Sequence, residues 1–268
     1  MTLISKSRLT SIFGIALLML ISTRAASAAE TPSFIGIIGD DFKYVATAPA
    51  RWESPEWQTL GWATLAVAGT SIIADRPVRD FMRQQPRNNA FLDRIENFGA
   101  TYAIGVMGGF YLAGVIGENE KSVNVAQDLV AASLVSATIN QTIKVATNRY
   151  RPRDNRDIYN FQGYTGLNNN SSFPSGHTTE AFTLASVIAS HYEETWVSYT
   201  VYSVAALVGV ARMYNDAHYA SDVTASAFIG TLVGKSIVHH NLSLRTKKMA
   251  MLPIIAPDYA GVQVVGVF

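Results

Sequence analysis

Small, polar and titratable side chains stand together at the start of a predicted helix in the segment NNSSFPSGHTTEAF, residues 169–182. Pro174 ends the preceding segment, and Ser175 and Gly176 place free backbone N–H groups at the helix start. Such N–H groups bind anions, phosphate above all. His177 adds a group that gives or takes a proton near neutral pH. The segment therefore predicts a phosphate site with a proton donor beside it.

Two further clusters carry charge at regular spacings. In KVATNRYRP, Lys144 is followed after six residues by Arg151-Pro152. In RMYNDAHYASD, Arg212 is followed after five residues by His218 and after three more by Asp222. Each cluster alone is a weak signal, because a lysine at a helix end is usually solvated and a lone histidine is more often structural. Their combination and order carry the information.

In order and spacing, the three clusters resemble the signature of the type 2 phosphatidic acid phosphatase family, K-x6-R-P, P-S-G-H and S-R-x5-H-x3-D. Bacterial nonspecific acid phosphatases and vanadium haloperoxidases share this signature. Every fixed position is present except one, since Ala211 stands where the family has serine. This departure puts one supporting hydroxyl in question, and the reacting groups are intact. The resemblance covers residues 122–239.

The resemblance implies a role for each matched residue. His218 would be the nucleophile that forms a phosphohistidine, with Asp222 orienting its ring. His177 would protonate the leaving oxygen and later activate water. The remaining matched positions would bind the phosphate: Lys144, Arg151, Ser175, Gly176 and Arg212. Arginines bind phosphate oxygens bidentately and lysine acts as a point charge, so no metal and no cofactor are expected.

Hydrophobic periodicity predicts the helices that would position these residues. Six segments have helical character: residues 57–74, 98–117, 122–148, 178–191, 196–213 and 221–239. A short amphipathic helix is predicted at 40–47 and a single strand at 260–268. The expected fold is all-α, a compact bundle of about six core helices with a short β-like C-terminal tail. The polar stretch 153–173 is either a functional lid or a solvated surface loop.

The composition and the N-terminal segment give indications of the protein's cellular location. Apolar residues make up 49% and charged residues 15%, and the net charge of +1 gives no indication of a nucleic-acid partner. Absence of cysteine excludes disulfides and thiolate chemistry. Lys6 and Arg8, an apolar run and Ala26-Ser27-Ala28 predict a secretory signal, with an uncleaved anchor as the alternative. The predicted divisions are a signal peptide (1–28), an N-terminal extension (29–56), a helical phosphatase domain (57–240) and a C-terminal tail (241–268).

Membrane insertion is weighed by helix length and polarity. A membrane span needs about 20 apolar residues, which only segment 98–117 reaches cleanly, and segment 122–148 carries polar side chains that are costly in lipid. Five arginines between residues 75 and 97 point the other way, towards a cytoplasmic loop. The balance favours an exported, periplasmic domain that is soluble or peripherally attached and contacts a membrane. A multi-span inner-membrane protein is the close alternative.

The expected function is metal-independent hydrolysis of phosphomonoesters or pyrophosphates, most of all those of lipids. Three alternatives stay open at this point. They are a nonspecific acid phosphatase for small organic phosphates, a vanadium haloperoxidase and an inactive phosphate-binding protein. The intact pair His177 and His218 argues against the last, because binding alone would need only the cations.

Overall fold

A computed structural model describes residues 34–166, 171–247, 249–256 and 259–266. Within these ranges the chain forms nine α-helices and a C-terminal hairpin, which confirms the all-α fold. The helices are α1 (Phe34–Ala46), α2 (Ser54–Ile73), α3 (Asp75–Gln84), α4 (Ala90–Ile95), α5 (Thr101–Ile116), α6 (Glu120–Thr147), α7 (Gly176–His191), α8 (Thr195–Tyr214) and α9 (Ala220–Lys247). Short 3-10 helices span Ala48–Ala50, Glu96–Gly99 and Pro152–Asp154. The predicted signal peptide lies outside the described residues.

Helix α6 is the core of the bundle and packs against α5, α7 and α9. The face predicted to be apolar is buried, with Val125 and Leu129 fully inaccessible to solvent. Asn119 caps its start by accepting a hydrogen bond from the Ser122 amide at 3.1 Å. Its end is set by Asn148 in the left-handed conformation, at φ +42°. The helix therefore ends at Thr147, one residue before the predicted end, and Lys144 lies in its last turn.

Helices α7 and α9 pack closely because glycines face the contact. A Cβ atom on Gly230 would lie 2.4 Å from the Thr179 carbonyl oxygen, and one on Gly234 would lie 1.8 Å from Ser186 Oγ. Larger residues would push the helices apart. At the end of this contact the Ser175 amide donates to the Asp222 carbonyl at 3.4 Å. The packing thus brings the start of α7 to the start of α9.

A buried ion-pair cluster joins the opposite end of the bundle. Asp128, on α6, is fully buried and lies 2.8 Å from His191 Nε2 at the end of α7. Both Arg245 Nη atoms donate to its carboxylate, at 2.9 and 2.8 Å, and Asn241 donates at 2.9 Å. Asp128 lies 16 residues before Lys144, about 24 Å along a helix. His191, the last residue of α7, thus links that helix to α6 through Asp128.

The structure adds elements that the sequence pattern missed. Helices α3 and α4 occupy a stretch treated as a loop, and α9 continues past the predicted end at His239. The tail is a hairpin of β1 (Met249–Ala256) and β2 (Tyr259–Gly266), paired antiparallel from Met249↔Gly266 to Ala256↔Tyr259. The single predicted strand corresponds to β2. Strand β1 has no alternating pattern and contains Pro253, so periodicity did not reveal it.

Apolar side chains of α2 are exposed on nearly all sides. Of its 20 residues only Ala63 is buried, while Trp62 is 70% exposed and Ile73 76%. Among the described helices, however, α6 is the one that is long and apolar enough to cross a membrane. Residues Ala90–Gly99 together with α5 would form one further span, bent by 56°. Core helices of water-soluble proteins pass the same test, so this count alone does not establish a membrane protein.

Candidate active site

Three cationic side chains converge from different elements. Lys144 comes from the end of α6, Arg151 directly precedes a 3-10 helix, and Arg212 lies in the last turn of α8. Burial, together with the charges of Arg151 and Arg212 and against that of Asp222, lowers the pKa of Lys144 to about 7. Burial, with repulsion from Arg153 and Arg212, lowers the pKa of Arg151 to about 10. Such mutual repulsion requires proximity, so the fold brings the predicted cations together.

The start of α7 has the geometry expected of an anion site. Ser175 is fully buried and caps the helix, its Oγ accepting from the Thr178 amide at 3.4 Å. A Cβ atom on Gly176 would meet only Asn140 Oδ1, at 3.8 Å, which is an ordinary contact. Packing within the described protein therefore does not require glycine here. Close approach of an anion to the helix N-terminus would require it.

The 3-10 helix Glu96–Gly99 covers this site. A Cβ atom on Gly99 would lie 2.1 Å from the His177 carbonyl oxygen, so the two backbones touch. Glu96 Oε2 accepts from Arg212 Nη1 at 2.6 Å and from Asn215 Nδ2 at 2.9 Å. Arg212 Nε is buried and has no hydrogen-bond partner among the described residues. A buried donor of this kind is suited to an anionic oxygen.

Hydrogen bonding fixes the tautomer of His218. The ring is almost fully buried, and Nδ1 lies 2.7 Å from the Ser172 carbonyl oxygen. A carbonyl can only accept, so Nδ1 carries the proton. Burial lowers the pKa of His218 to about 3, helped by Lys144 and Arg212 and opposed by Asp222. The imidazole is therefore neutral at physiological pH, with the lone pair on Nε2 as a nucleophile requires.

Asp222 lies beside the His218 ring without a direct hydrogen bond to it. Its Oδ2 lies 3.6 Å from His218 Nδ1, longer than a hydrogen bond, so the Ser172 carbonyl is the direct partner of the ring. Ser172 Oγ and the Tyr219 amide, the latter at 2.8 Å, donate to Oδ2. Burial alone would raise the pKa of Asp222, but His218 and Arg149 together lower it to about 2. The carboxylate is thus ionised and faces the ring as a charge.

Arg149 is a central residue that the sequence did not single out. Arg153 and Arg156, which follow it in the chain, are exposed, whereas Arg149 is 1% exposed. Its guanidinium donates to Asp222 Oδ1 at 2.6 Å and to Asp75 Oδ2 at 2.7 Å. Nothing in the local pattern distinguishes a buried arginine from an exposed one, because the partners come from distant elements.

The remaining sequence expectations concern residues beside the site. Ala211 is fully buried in the last turns of α8. Near the start of the stretch 153–173, the Ile158 carbonyl accepts from Arg149 Nε at 3.0 Å. His240 stacks on Tyr44 with ring centroids 3.9 Å apart. In the part of the chain that the structure describes, no three His, Asp or Glu side chains form a group that could hold a metal ion.

Part of the chain is similar in sequence to known proteins of one superfamily. Residues 126–244 match the sequence profile of the PAP2 superfamily. The chain is 42% identical over 67 residues to the lipid A 1-phosphatase of Porphyromonas gingivalis, covering 24% of this chain and 15% of that protein. It is 32% identical to lipid phosphate phosphatase 1 of Arabidopsis thaliana, covering 39% of this chain and 41% of that protein. The chain thus spans less than half the length of these relatives.

The fold is also found in a solved structure. The first transmembrane PAP2-type phosphatidylglycerolphosphate phosphatase from Bacillus subtilis matches with a TM-score of 0.52 at 18% identity, covering 69% of this chain and 94% of that one. At this identity the match establishes the fold alone. The match of residues 126–244 to the PAP2 superfamily profile confirms the resemblance inferred from the three motifs.

The lowered pKa of Lys144 predicts a pH effect. Below about pH 7 the side chain is charged and attracts phosphate, and above it the charge is lost. We expect kcat/KM to fall as the pH rises through this range. In Lys144→Arg, whose guanidinium stays charged, the fall should move to higher pH. Titration of the substrate affects both proteins alike. A pH profile of kcat/KM checks this, and the same alkaline limb in both would remove Lys144 as its cause.

Proposed function

We propose that this protein is a phosphatase that hydrolyses lipid phosphomonoesters or pyrophosphates through a phosphohistidine at His218. The observation that carries the proposal is a neutral imidazole beside three converging cations, with its proton held on Nδ1 and its lone pair on Nε2. A binding protein would need the cations alone. A nucleophile needs this tautomer as well.

In the first step, Nε2 of His218 attacks phosphorus and the bond from phosphorus to the leaving oxygen breaks. His177 donates the proton that this oxygen needs. Lys144, Arg151 and Arg212 stabilise the charge on the three equatorial oxygens. The phosphorylated imidazole keeps its Nδ1 proton and carries positive charge, which the Asp222 carboxylate offsets.

In the second step, water attacks the phosphohistidine. His177, now lacking its proton, accepts one from the water as the oxygen bonds to phosphorus. The bond from phosphorus to Nε2 breaks and inorganic phosphate leaves. Both histidines return to their starting states, so the protein's own side chains complete the cycle.

Lipid substrates are proposed from two supports. The relatives are phosphatases whose names specify lipid A and lipid phosphate. In addition, α2 exposes apolar side chains on nearly all sides, and such side chains are stable in contact with lipid.

We place the protein in the cell envelope, exported by the predicted signal and associated with a membrane. The sequence favoured peripheral attachment, and the exposed α2 adds weight to direct contact with acyl chains. Alkaline carbonate extraction of membranes tests this: α2 buried in lipid keeps the protein in the pellet. Recovery in the supernatant would favour peripheral attachment.

The proposed activity is tested with purified protein in detergent micelles. Inorganic phosphate release is measured from phosphatidic acid, from a lipid pyrophosphate and from small organic phosphate esters. We expect the lipid substrates to have the higher kcat/KM and vanadate, which mimics the pentacoordinate transition state, to inhibit. Higher kcat/KM for small esters would favour a nonspecific acid phosphatase. Absence of release from every substrate would overturn the proposal.

His177→Gln should slow esters with poor leaving groups most. An alkoxide needs a proton as the bond to phosphorus breaks, whereas nitrophenolate leaves without one. General acid catalysis contributes about 10²- to 10⁴-fold, so we expect the mutant to lose that much on alkyl phosphates and clearly less on nitrophenyl phosphate. The measurement is kcat on both esters for the mutant and the wild type. Equal losses would show that His177 is not the leaving-group acid.

A further inference from the structure

A helix outside the PAP2-matched segment touches the catalytic end of the bundle. Its first residue, Asp75, opens α3 and is fully buried. Its carboxylate accepts three hydrogen bonds from groups far along the chain. They come from Arg149 Nη2 at 2.7 Å, the Ser221 amide at 2.8 Å and Ser221 Oγ at 2.7 Å. Asp75 thus contacts two residues that hold Asp222. Ser221 precedes Asp222 in the chain, and Arg149 donates a hydrogen bond to its carboxylate.

The contact of Asp75 with Ser221 fixes the start of α9. Ser221 lies in the first turn of that helix, directly before Asp222. The first amides of a helix have no partner within it, and Asp75 supplies one from another helix. The negative charge also interacts favourably with the positive end of the helix dipole. The backbone that carries Asp222 is therefore held from α3.

Arg149 connects the carboxylates of Asp75 and Asp222. Its Nη1 donates to Asp222 Oδ1 while Nη2 donates to Asp75. The guanidinium group packs on the Tyr219 ring, with Arg149 Cζ 4.1 Å from the ring centroid. Its Nε and Nη2 atoms also donate hydrogen bonds to the Ile158 carbonyl. With these contacts the guanidinium has one available orientation. Movement of Asp75 would therefore change how Asp222 is held.

Charge balance gives this contact a function. Two carboxylates share one guanidinium, so the buried group of Asp75, Arg149 and Asp222 keeps one net negative charge. Asp222 lies 3.6 Å from His218. Without Asp75, Arg149 alone would neutralise Asp222, and no net charge would remain to offset the positive ring of the phosphohistidine. In a buried site this loss is only weakly screened.

We propose that Asp75 is a positioning residue for the reaction, holding Asp222 through Ser221 and Arg149 and leaving its negative charge for His218. This inference rests on the proposed function. It extends the site to a helix that the three motifs do not include.

Asp75→Asn is the direct test, because it removes the charge and keeps the shape. We expect kcat to fall about 10- to 100-fold, the range found when a partner that orients a functional histidine is removed. KM should stay within about twofold, because the phosphate-binding cations are untouched. Asp128→Asn is the matched control, since Asp128 is equally buried and ion-paired but lies at the other end of the bundle. It should lower thermal stability and leave kcat unchanged. Equal kcat for Asp75→Asn and wild type would overturn the proposal.

A double variant separates the effect of the lost charge on kcat from the effect of altered packing. Asp75→Asn with Arg149→Gln removes one charge of each sign, so the buried group keeps the net charge of Asp222. We expect its kcat to exceed that of Asp75→Asn while remaining below wild type. A merely structural role predicts a further loss from the second exchange. Should Asp75→Asn fail to fold, the double variant still decides, because wild-type kcat in it would contradict the proposal.

A spectroscopic readout is independent of turnover. The Nδ1 proton of His218 is detected by NMR in histidine-labelled protein and assigned by its loss in His218→Gln. Asp75→Asn should shift this resonance, whereas Asp128→Asn should not. An unchanged resonance in Asp75→Asn would contradict the positioning role even if the wild type hydrolysed no tested phosphate. Failure of the proposed function and failure of this inference are thus distinguishable.

Discussion

His218→Ala is expected to abolish turnover, with a loss of at least about 10³-fold in kcat, as for the removal of a catalytic nucleophile. The two-step reaction has no first step without Nε2, and the cations alone do not replace it. The ring is buried on the Ser172 carbonyl. Its removal leaves that acceptor unpaired and costs about 1–3 kcal/mol of stability, which a folded domain tolerates. Circular dichroism and phosphate release measure the two effects separately.

The matched control is His191→Gln. This histidine is also largely buried and also lies near an aspartate, at 2.8 Å from Asp128. It belongs to the opposite end of the bundle, so its loss should lower stability and spare kcat. Residual activity of His218→Ala above a few per cent of wild type, or equal losses in both variants, would remove His218 from the nucleophile role.

Arg212→Gln is expected to lower kcat/KM by about 10²- to 10³-fold, the effect of removing one donor that stabilises transition-state charge. Arg212 has a buried Nε without a partner in the described part of the chain, and its Nη1 is held by Glu96. It is thus both oriented and available to a phosphate oxygen. The measurement is kcat/KM for phosphate release, together with inhibition by vanadate, which should weaken in parallel.

Two variants make this prediction specific. Arg245→Gln removes an arginine that is ion-paired with Asp128, far from the site, and should leave kcat/KM unchanged. Glu96→Gln keeps the Arg212 cation while weakening its orientation, so its loss should be smaller than that of Arg212→Gln. If Arg212→Gln retained the kcat/KM of wild type, the phosphate site would have to lie elsewhere.

The three motifs located the candidate reacting groups, whereas the groups that hold them in place left no signal in the sequence. Lys144 and Arg212 lie in the last turns of α6 and α8, and Arg151 and His218 each follow one of these helices by four residues. The fold brings them together as expected. The Ser172 carbonyl, which holds the His218 ring, is a backbone group, and no side-chain pattern reports it.

Helix α3 shows why the rest was missed. Its sequence, DRPVRDFMRQ, is short and rich in charge, so hydrophobic periodicity did not predict a helix, although proline in the first turn is common at helix starts. It is held by tertiary ion pairs, of Asp75 with Arg149 and of Arg83 with Asp216 at 2.9 Å. Partners so distant in the chain leave no local signature. Tertiary contacts therefore decided this helix against its local pattern.

The central claim is a covalent phosphohistidine at His218, and trapping it is the most direct measurement. Wild-type protein is mixed with ³²P-labelled phosphatidic acid, quenched in alkali within milliseconds and digested for peptide mapping. Phosphohistidine survives alkali and is lost in acid, unlike phosphoserine. We predict label on the peptide that contains His218, and none in His218→Ala. Phosphate release without any alkali-stable label, or label retained in His218→Ala, would contradict the mechanism.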